Sequence, residues 1–432
     1  MTARRIVLGR RVLGFTFLPF VSSLAPFILL PLLARRVTSA EWAGLGTGQA
    51  VGMVGAVAIT WGWQFVGPVL VAGVEAEERK TRYLDSILVR GVACLVLTPP
   101  LALIAGEVAP HGGKLLSVTM AIAMCLSALT PTWYFIGMGE PMGVAVWDIL
   151  PRVGATVLTA GLIVWGLSAV WYPVTLSVAG LLAVLVFSMR ELHGSHVSAH
   201  VRDFSRLKLE VRRGFGPMAT ETSLSLYSSG SVAFVGWQAT TETVAAYSSG
   251  FRLYRLAVYF VTALANGLTG WVAEVQGRVR GRRMLLALLV HAVVGVVGML
   301  AMAAFLPMVS TLLFGARLSI DHLASFFLGV AFLAASVGNS LGRHVLIPEG
   351  ATRGVLWSTL AGAAVGIPLS VVLSVEWGAA GATAALGISQ IVPCVLVARR
   401  SFRVVRRLRR MDPAPEVAQG TPETEATTEP RD

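Results

Sequence analysis

The sequence is poor in charged residues. Asp, Glu, Lys and Arg make up only 13% of its 432 residues, whereas an ordinary soluble domain is about one quarter charged. Hydrophobic residues make up 55%, and the mean hydropathy is +0.71. A chain this apolar cannot hide its hydrophobic side chains in a core surrounded by water, so the composition excludes an ordinary soluble protein.

The sequence also has few cysteines and no nucleotide-binding motif. Its three cysteines, Cys94, Cys125 and Cys394, stand alone inside apolar runs without CxxC spacing. Neither a disulfide framework nor a thiolate metal site is therefore predicted. No GxxxxGK[ST] run is present, which argues against ATP hydrolysis by this chain. We predict no metal, no cofactor and no enzymatic activity.

Long apolar runs dominate what is present. Each is about twenty residues long, which at 1.5 Å per residue matches a hydrocarbon core of roughly 30 Å. We therefore predict an all-α membrane protein with about twelve transmembrane helices. The predicted spans are 12–33, 43–71, 84–106, 115–137, 144–167, 169–189, 214–237, 244–273, 285–306, 320–342, 355–374 and 377–398.

Basic residues alternate with these spans. Loops on one side are rich in arginine, whereas the loops on the other side contain only Arg35, Arg36, Lys114 and Arg317. The positive-inside rule then predicts that both termini lie in the cytoplasm. Because the basic residues form short clusters between apolar runs and not one basic face, nucleic acid is not an expected partner.

The longest predicted inside loop divides the spans six and six. We predict an N-terminal bundle over 1–189, a cytoplasmic linker over 190–213, a C-terminal bundle over 214–398 and a tail over 399–432. The tail begins with a basic stretch, after which Pro, Glu and Thr replace large apolar residues. Such a composition cannot offset its ordering entropy, so the end of the tail is predicted to be disordered.

Several ionisable side chains fall inside the predicted spans. A charge at bilayer depth costs about 2.5–3.5 kcal/mol on insertion scales, so these groups are expected to face a bundle interior or a wet cavity. They are Arg90, Asp148, Arg152, Glu221, Arg252, Arg255 and His291.

Arg252 and Arg255 are three residues apart and so share one face of a helix. Two neighbouring guanidinium groups repel each other unless an anion lies between them. A pyrophosphate offers oxygens that suit the bidentate geometry of arginine. The alternative is that both side chains extend along the helix and reach the membrane interface.

Asp148 and Arg152 are four residues apart, which is the spacing of an intrahelical ion pair. Alternatively, Arg152 lines the cavity while Asp148 positions it or binds a coupling proton. Glu221 lies in a segment rich in Ser and Thr, which predicts a cavity-lining helix or one packed through small residues. Glu221 is a second candidate for ion coupling.

Four segments resemble the Wzx-type oligosaccharide flippases. They are FILLPLLARRVTSAEWAGLG, TPTWYFIGMGEPMGVAVWDILPR, TETVAAYSSGFRLYRL and WGAAGATAALGISQ. The resemblance implies the fold of the multidrug/oligosaccharidyl-lipid/polysaccharide exporter superfamily, with two six-helix bundles around a central cavity. It also implies a bacterial cytoplasmic membrane protein that translocates a polyprenyl-pyrophosphate-linked oligosaccharide by alternating access.

The expected partners follow from that resemblance. They are a lipid-linked anionic saccharide, membrane lipids and polysaccharide assembly proteins. The candidate substrate-binding residues are Arg35, Arg90, Arg152, Arg252 and Arg255.

Two other functions compete with this prediction. Cation-drug antiporters that resemble the family commonly carry an acidic residue in the first span, which is absent here, and arginines outnumber acids within the spans. A membrane glycosyltransferase or polysaccharide polymerase usually needs catalytic residues on sizeable outside loops. Every predicted outside loop here is short.

Overall fold

A computed structural model describes residues 26–193 and 204–410, and these residues form helices joined by short turns without any strand. The helices are α1 Pro26–Arg36, α2 Ser39–Ile59, α3 Trp63–Val71, α4 Ala76–Val108, α5 Lys114–Ser127, α6 Thr132–Met138, α7 Pro141–Val164, α8 Trp171–Glu191, α9 Phe204–Ser229, α10 Ser231–Gly236, α11 Thr241–Ala273, α12 Gly277–Phe314, α13 His322–Leu346 and α14 Thr352–Arg410. Helices α7 and α13 each contain a π-helical turn, over Ala145–Ile149 and Leu341–Leu346.

The fold is that of a multi-pass membrane protein. Within the described ranges, nine stretches are long and apolar enough to cross a membrane. The last of them lies in α14, which Gly378 divides into two arms by its left-handed backbone (φ 58°, ψ −137°). Most of the first predicted span lies outside the described residues, and α9 is too polar to be among the nine. The all-α membrane fold is confirmed, while the count of twelve stays a prediction.

Two predicted spans are each divided into two helices. The span 43–71 breaks at Thr60–Gly62, where Trp61 and Gly62 have positive φ angles of 50° and 76°. The span 115–137 breaks over 128–131, where Pro131 lacks the N–H that would continue the hydrogen-bond ladder of α5. The hydropathy profile shows neither break, because the residues on both sides of each break are apolar.

The predicted linker and tail are more helical than expected. Helix α8 continues to Glu191 and α9 already begins at Phe204, so much of the predicted linker 190–213 is helical. The basic part of the tail continues α14 as far as Arg410. The stretch predicted to be disordered, 411–432, lies outside the described residues. The proposed division into bundles stays a prediction.

Helix α2 packs against helices from both parts of the chain. Gly44, Gly48 and Gly52 form one face, where an added Cβ would overlap the backbone of α5 or, at Gly44, that of Gly113 just before α5. Small residues at this spacing let two membrane helices approach closely. On another face, Gly46 contacts the hydroxyl of Ser248 on α11. Helix α2 therefore joins the N-terminal helices to the C-terminal ones.

The helix ends form two groups with different charge. We call the ends that carry Arg35, Arg36, Lys114 and Arg317 the arginine-poor end, and the opposite ends the arginine-rich end. At the arginine-poor end, Arg317 donates a hydrogen bond to the carbonyl of Val37 and thereby links α12 to α1 and α2.

At the arginine-rich end, α9 is tied to the N-terminal helices by charge and by one indole. Asp85 of α4 pairs with Arg206 at 2.9 Å, and Arg82 lies 3.7 Å from Glu210. The indole N–H of Trp61 donates to the carbonyl of Val211 at 2.9 Å.

Candidate functional site

The start of α2 anchors a buried aromatic residue at the arginine-poor end. Thr38 caps the helix by accepting a hydrogen bond from the N–H of Glu41, and the Glu41 carboxylate accepts one from the Thr38 N–H at 2.8 Å. This cap fixes the first turn, which carries Trp42. Trp42 is fully buried, its indole N–H donates to the Ser249 hydroxyl of α11 at 2.9 Å, and its ring lies 5.2 Å from that of Phe314.

Arg252 stacks on Trp42 and has no counterion within residues 26–193 and 204–410. Its guanidinium carbon lies 4.7 Å from the centre of the Trp42 ring. Both terminal nitrogens are buried and find no hydrogen-bond acceptor among the described residues. An unpaired buried charge costs several kcal/mol, and a desolvated cation–π contact offsets about 2 kcal/mol of that cost. Arg252 therefore presents two free donors to an anionic oxygen.

Arg255 lies on the same face of α11 and also contacts α2. One of its terminal nitrogens is 2.9 Å from the sulfur of Met53, and the other donates to the Tyr259 hydroxyl at 3.0 Å. Arg252 and Arg255 thus both lie along the contact between α2 and α11, which we call the seam. Arg252 and Arg255 share one face of α11, as their spacing predicts. The terminal nitrogens of Arg252 are buried and do not extend to the surface.

Arg152 approaches the same region from α7. The hydroxyl of Tyr172 on α8, a residue only 4% exposed, lies within electrostatic range of both Arg252 and Arg152. Arg152 pairs with Asp148 at 2.8 Å, as their spacing predicted, and the Thr132 hydroxyl donates to the second carboxylate oxygen of Asp148 at 3.1 Å. We call Arg152, Tyr172, Arg252 and Arg255 the seam cluster.

Three predicted site residues make no hydrogen bond, ion pair or ring contact with the seam cluster among the described residues. Arg90 is 1% exposed, and one terminal nitrogen donates to the carbonyls of Ala128 and Thr130 at 2.9 Å each, which stabilises the break between α5 and α6. Arg35 is exposed at the end of α1, and Glu221 is half-buried on α9. Neither makes a hydrogen bond or ion pair with the described residues. Their predicted roles stay predictions.

Trp42 and Tyr172 were not among the predicted site residues, although Trp42 stacks with Arg252 and Tyr172 is buried on α8. The capping box before Trp42 was a local signal that this side chain would be held in place. No local pattern indicated that α2, α8 and α11 would bring both aromatic residues to the same arginine. No group of three or more His, Cys, Asp or Glu suited to a metal ion occurs in residues 26–193 and 204–410.

The fold is that of the transporters of the MOP superfamily. An inward-facing multidrug resistance transporter of the MATE family superposes with a TM-score of 0.70, at 14% identity, over 90% of this chain and 95% of that one. The lipid II flippase MurJ in an inward closed conformation gives a TM-score of 0.68 at 12% identity, over 91% and 89%. A MOP superfamily transporter from Pyrococcus furiosus gives 0.50 at 15% identity, over 94% and 96%.

A match to a sequence profile shows which family the chain belongs to. The profile described as "Polysaccharide biosynthesis protein" matches residues 8–269, which is more than half of the chain. The chain belongs to the polysaccharide biosynthesis protein family, which confirms the resemblance seen in its motifs. A comparison with curated protein sequences finds no match.

Proposed function

We propose that the chain is a flippase that moves a polyprenyl-pyrophosphate-linked oligosaccharide across the bacterial cytoplasmic membrane by alternating access. Family membership and the MOP fold support this proposal. Both termini and the arginine-rich end face the cytoplasm in this arrangement, in keeping with the positive-inside rule. Proteins of polysaccharide assembly are its proposed partners.

The observation that carries the proposal is the unpaired guanidinium group of Arg252. Two buried donors with no acceptor favour a ligand that brings its own negative charge into the protein. A pyrophosphate has oxygens for both donors and further oxygens for Arg255 and Arg152. The seam cluster thus binds the charged head group, while the polyprenyl tail stays in lipid.

Asp148 has a positioning role in the proposed site. Asp148 holds Arg152 at 2.8 Å and leaves 43% of the Arg152 side chain exposed, so the arginine can still meet a ligand. No covalent step is needed, because translocation only requires that the head group bind and then leave. Asp148 and Glu221 are the proposed residues for proton or ion coupling.

The competing function is antiport of cationic drugs. A cation at the seam would meet the positive charges of Arg252 and Arg255, and the nearby carboxylate of Asp148 is already engaged by Arg152. Like charges at short range in a low dielectric repel by several kcal/mol. The charge of the seam cluster therefore favours an anionic substrate.

Single substitutions test this assignment. We expect Arg252→Ala to lower surface polysaccharide by at least about tenfold, because losing a charge-assisted bidentate contact costs about 1.5–3 kcal/mol. The lipid-linked precursor should accumulate on the cytoplasmic side. Arg252→Lys keeps the charge but not the fork of donors, so we expect it to restore only part of the polymer.

The matched control is Arg353→Ala, because Arg353 is an exposed arginine at the arginine-rich end. This variant should produce normal polymer, and membrane abundance must be equal in all variants. Normal polymer from Arg252→Ala, Arg255→Ala and Arg152→Ala alike would refute the seam cluster as the binding site. Drug resistance without any polysaccharide defect would instead support the antiporter.

A further inference from the structure

Two histidines are buried together among the C-terminal helices, far along the chain from the seam cluster. His291 lies on α12 and is 0% exposed, and His344 lies in the π-helical turn of α13 and is 1% exposed. Their ring centres are 5.2 Å apart in an edge-to-face arrangement. Nothing in the proposed binding of the head group uses this pair.

The hydrogen bonds of His344 define its neutral form. Its Nε2 lies 3.1 Å from the backbone carbonyl of Ala265 on α11, and its Nδ1 lies 3.1 Å from the hydroxyl of Ser340. Because a carbonyl can only accept, Nε2 carries the hydrogen and Nδ1 accepts from Ser340. Both nitrogens of His344 are therefore satisfied without an added proton.

His291 differs from His344 in having one free nitrogen. Its Nδ1 lies 2.9 Å from the carbonyl of Ala287 and must donate to it. In the neutral ring, Nε2 consequently carries a lone pair and no hydrogen, and this atom is buried without a partner among the described residues. An unpartnered basic nitrogen on an imidazole ring is a site for one proton.

The charged groups around the pair are Arg343, next to His344, and the Glu349 that follows the π-helical turn and lies 3.7 Å from Arg280 of α12. Arg343, next to His344 in the π-helical turn, donates to the Asn266 side chain of α11 and acts electrostatically on His344. An apolar cluster from α12, α13 and α14 lies at neighbouring positions, with Leu288, Leu341 and Val397 among its members, and the Ser336 hydroxyl donates to the His291 carbonyl at 2.7 Å. No acidic group of the described residues acts on either ring.

We propose that His291 and His344 form a proton-binding site, in which uptake of one proton at Nε2 of His291 opens the π-helical turn of α13 to water. The neutral pair fits the closed packing, because every N–H has an acceptor. A proton at Nε2 creates a buried donor without an acceptor among the described residues and a positive charge on a ring whose centre is 5.2 Å from that of His344. Hydration relieves both, so the protonated form favours an opened turn.

The π-helical turn is a suitable element for this change. Such turns hold one extra residue in a helix and often occur at functional sites. Here the turn runs over Leu341–Leu346 at the arginine-rich end, so its opening changes the packing of α13 against α11 and α14. The proposal is independent of the cargo, since it concerns the protein without substrate.

Hydrogen exchange of the full chain in nanodiscs tests the proposal. We expect exchange over 337–351, corrected for the intrinsic effect of pH, to rise as the pH falls from about 8 to about 5, the range in which histidines titrate. One proton taken up on opening changes the opening equilibrium by up to about tenfold per pH unit. The same exchange should be independent of pH in His291→Asn, whose amide can still donate to Ala287 but lacks Nε2.

The matched control is His322→Asn, since His322 lies exposed at the other end of α13. This variant should behave as the wild type. A pH-independent wild type, or an equal rise in His291→Asn, would overturn the proposal.

A spectroscopic measurement decides the matter should His291→Asn fail to fold. In solid-state spectra of ¹⁵N-histidine protein, we expect the unprotonated Nε2 signal of His291 to disappear on acidification in this range. Its persistence to about pH 5 would equally overturn the proposal.

Discussion

The contacts between the N-terminal and C-terminal helices differ in kind at the two ends of the molecule. At the arginine-poor end, Trp42 is fully buried against Phe314 and Ser249, and the terminal nitrogens of the Arg252 stacked on it find no acceptor in residues 26–193 and 204–410. At the arginine-rich end, the contact is made by ion pairs, of which the one between Asp85 and Arg206 is 2.9 Å long.

The difference bears on what can open each end. Aromatic burial does not depend on salt, and an unpaired buried cation makes that contact responsive to an anion. Partly exposed ion pairs are weaker and are screened by salt. We infer that the arginine-poor end responds to substrate, whereas the arginine-rich end is held by reversible electrostatic contacts.

The largest effect is expected at Trp42. Trp42→Ala removes a fully buried side chain and its hydrogen bond to Ser249, which should destabilise the protein by about 3–5 kcal/mol. Thermal unfolding in detergent measures the loss. Trp42→Phe keeps an aromatic ring beside Arg252 and should lose less.

The control for Trp42 is Trp357→Ala, because Trp357 is 69% exposed in the protein. Its removal should change the unfolding temperature little. Equal losses in the two alanine variants would contradict the picture of a closely packed arginine-poor end.

A smaller effect is expected from Asp85→Asn at the arginine-rich end. Breaking a buried pair costs about 3–5 kcal/mol, but Arg206 is 31% exposed and so keeps part of its hydration. We expect a loss of about 1–3 kcal/mol, seen as faster hydrogen exchange at the start of α9.

Glu77→Gln is the matched control for Asp85→Asn, since Glu77 pairs with Lys80 on the same helix but is 76% exposed. Surface pairs contribute about 0–1 kcal/mol, so exchange in α9 should not change. An unchanged α9 in Asp85→Asn itself would show that the ion pair does not hold this end together.

The smallest effect is expected from salt alone. Raising ionic strength from about 0.1 M to 1 M shortens the Debye length from about 10 Å to 3 Å. Exchange at the start of α9 should then increase modestly, while exchange at the start of α2 should stay constant. If exchange increased at the start of α2 and stayed constant at the start of α9, charge and not aromatic packing would close the arginine-poor end.

Much of the fold could be predicted because the bilayer imposes strong length and polarity rules. Those rules gave the all-α membrane class and most span positions. They could not locate the break at Trp61, where hydropathy is continuous and a left-handed residue is held by the contact with Val211. They also missed the early start of α9 at Phe204. The first, charged turns of α9 pack on α4, where Arg206 pairs with Asp85.

The site was predictable where it depends on spacing within one helix. The ion pair of Asp148 with Arg152, and the shared face of Arg252 and Arg255, both follow from helix periodicity. Burial rules placed Arg90 in the interior but could not tell that backbone carbonyls would engage one terminal nitrogen and leave the other buried without a partner among the described residues. Trp42 reaches Arg252 only through tertiary packing, which no local pattern encodes.

The two faces of α2 set a mechanical limit on how the halves can move. Gly48 and Gly52 lie directly against the backbone of α5, and Gly44 lies against that of Gly113 just before it, so α2 and α5 are expected to move together. Toward α11, a Cβ added at Gly46 would overlap the Ser248 side chain, while the Trp42 indole donates to Ser249 and stacks with Arg252. The seam is held by side-chain contacts and not by close backbone packing, so we expect a movement of the halves to separate α2 from α11 before it separates α2 from α5, and the arginines on the seam would travel with α11.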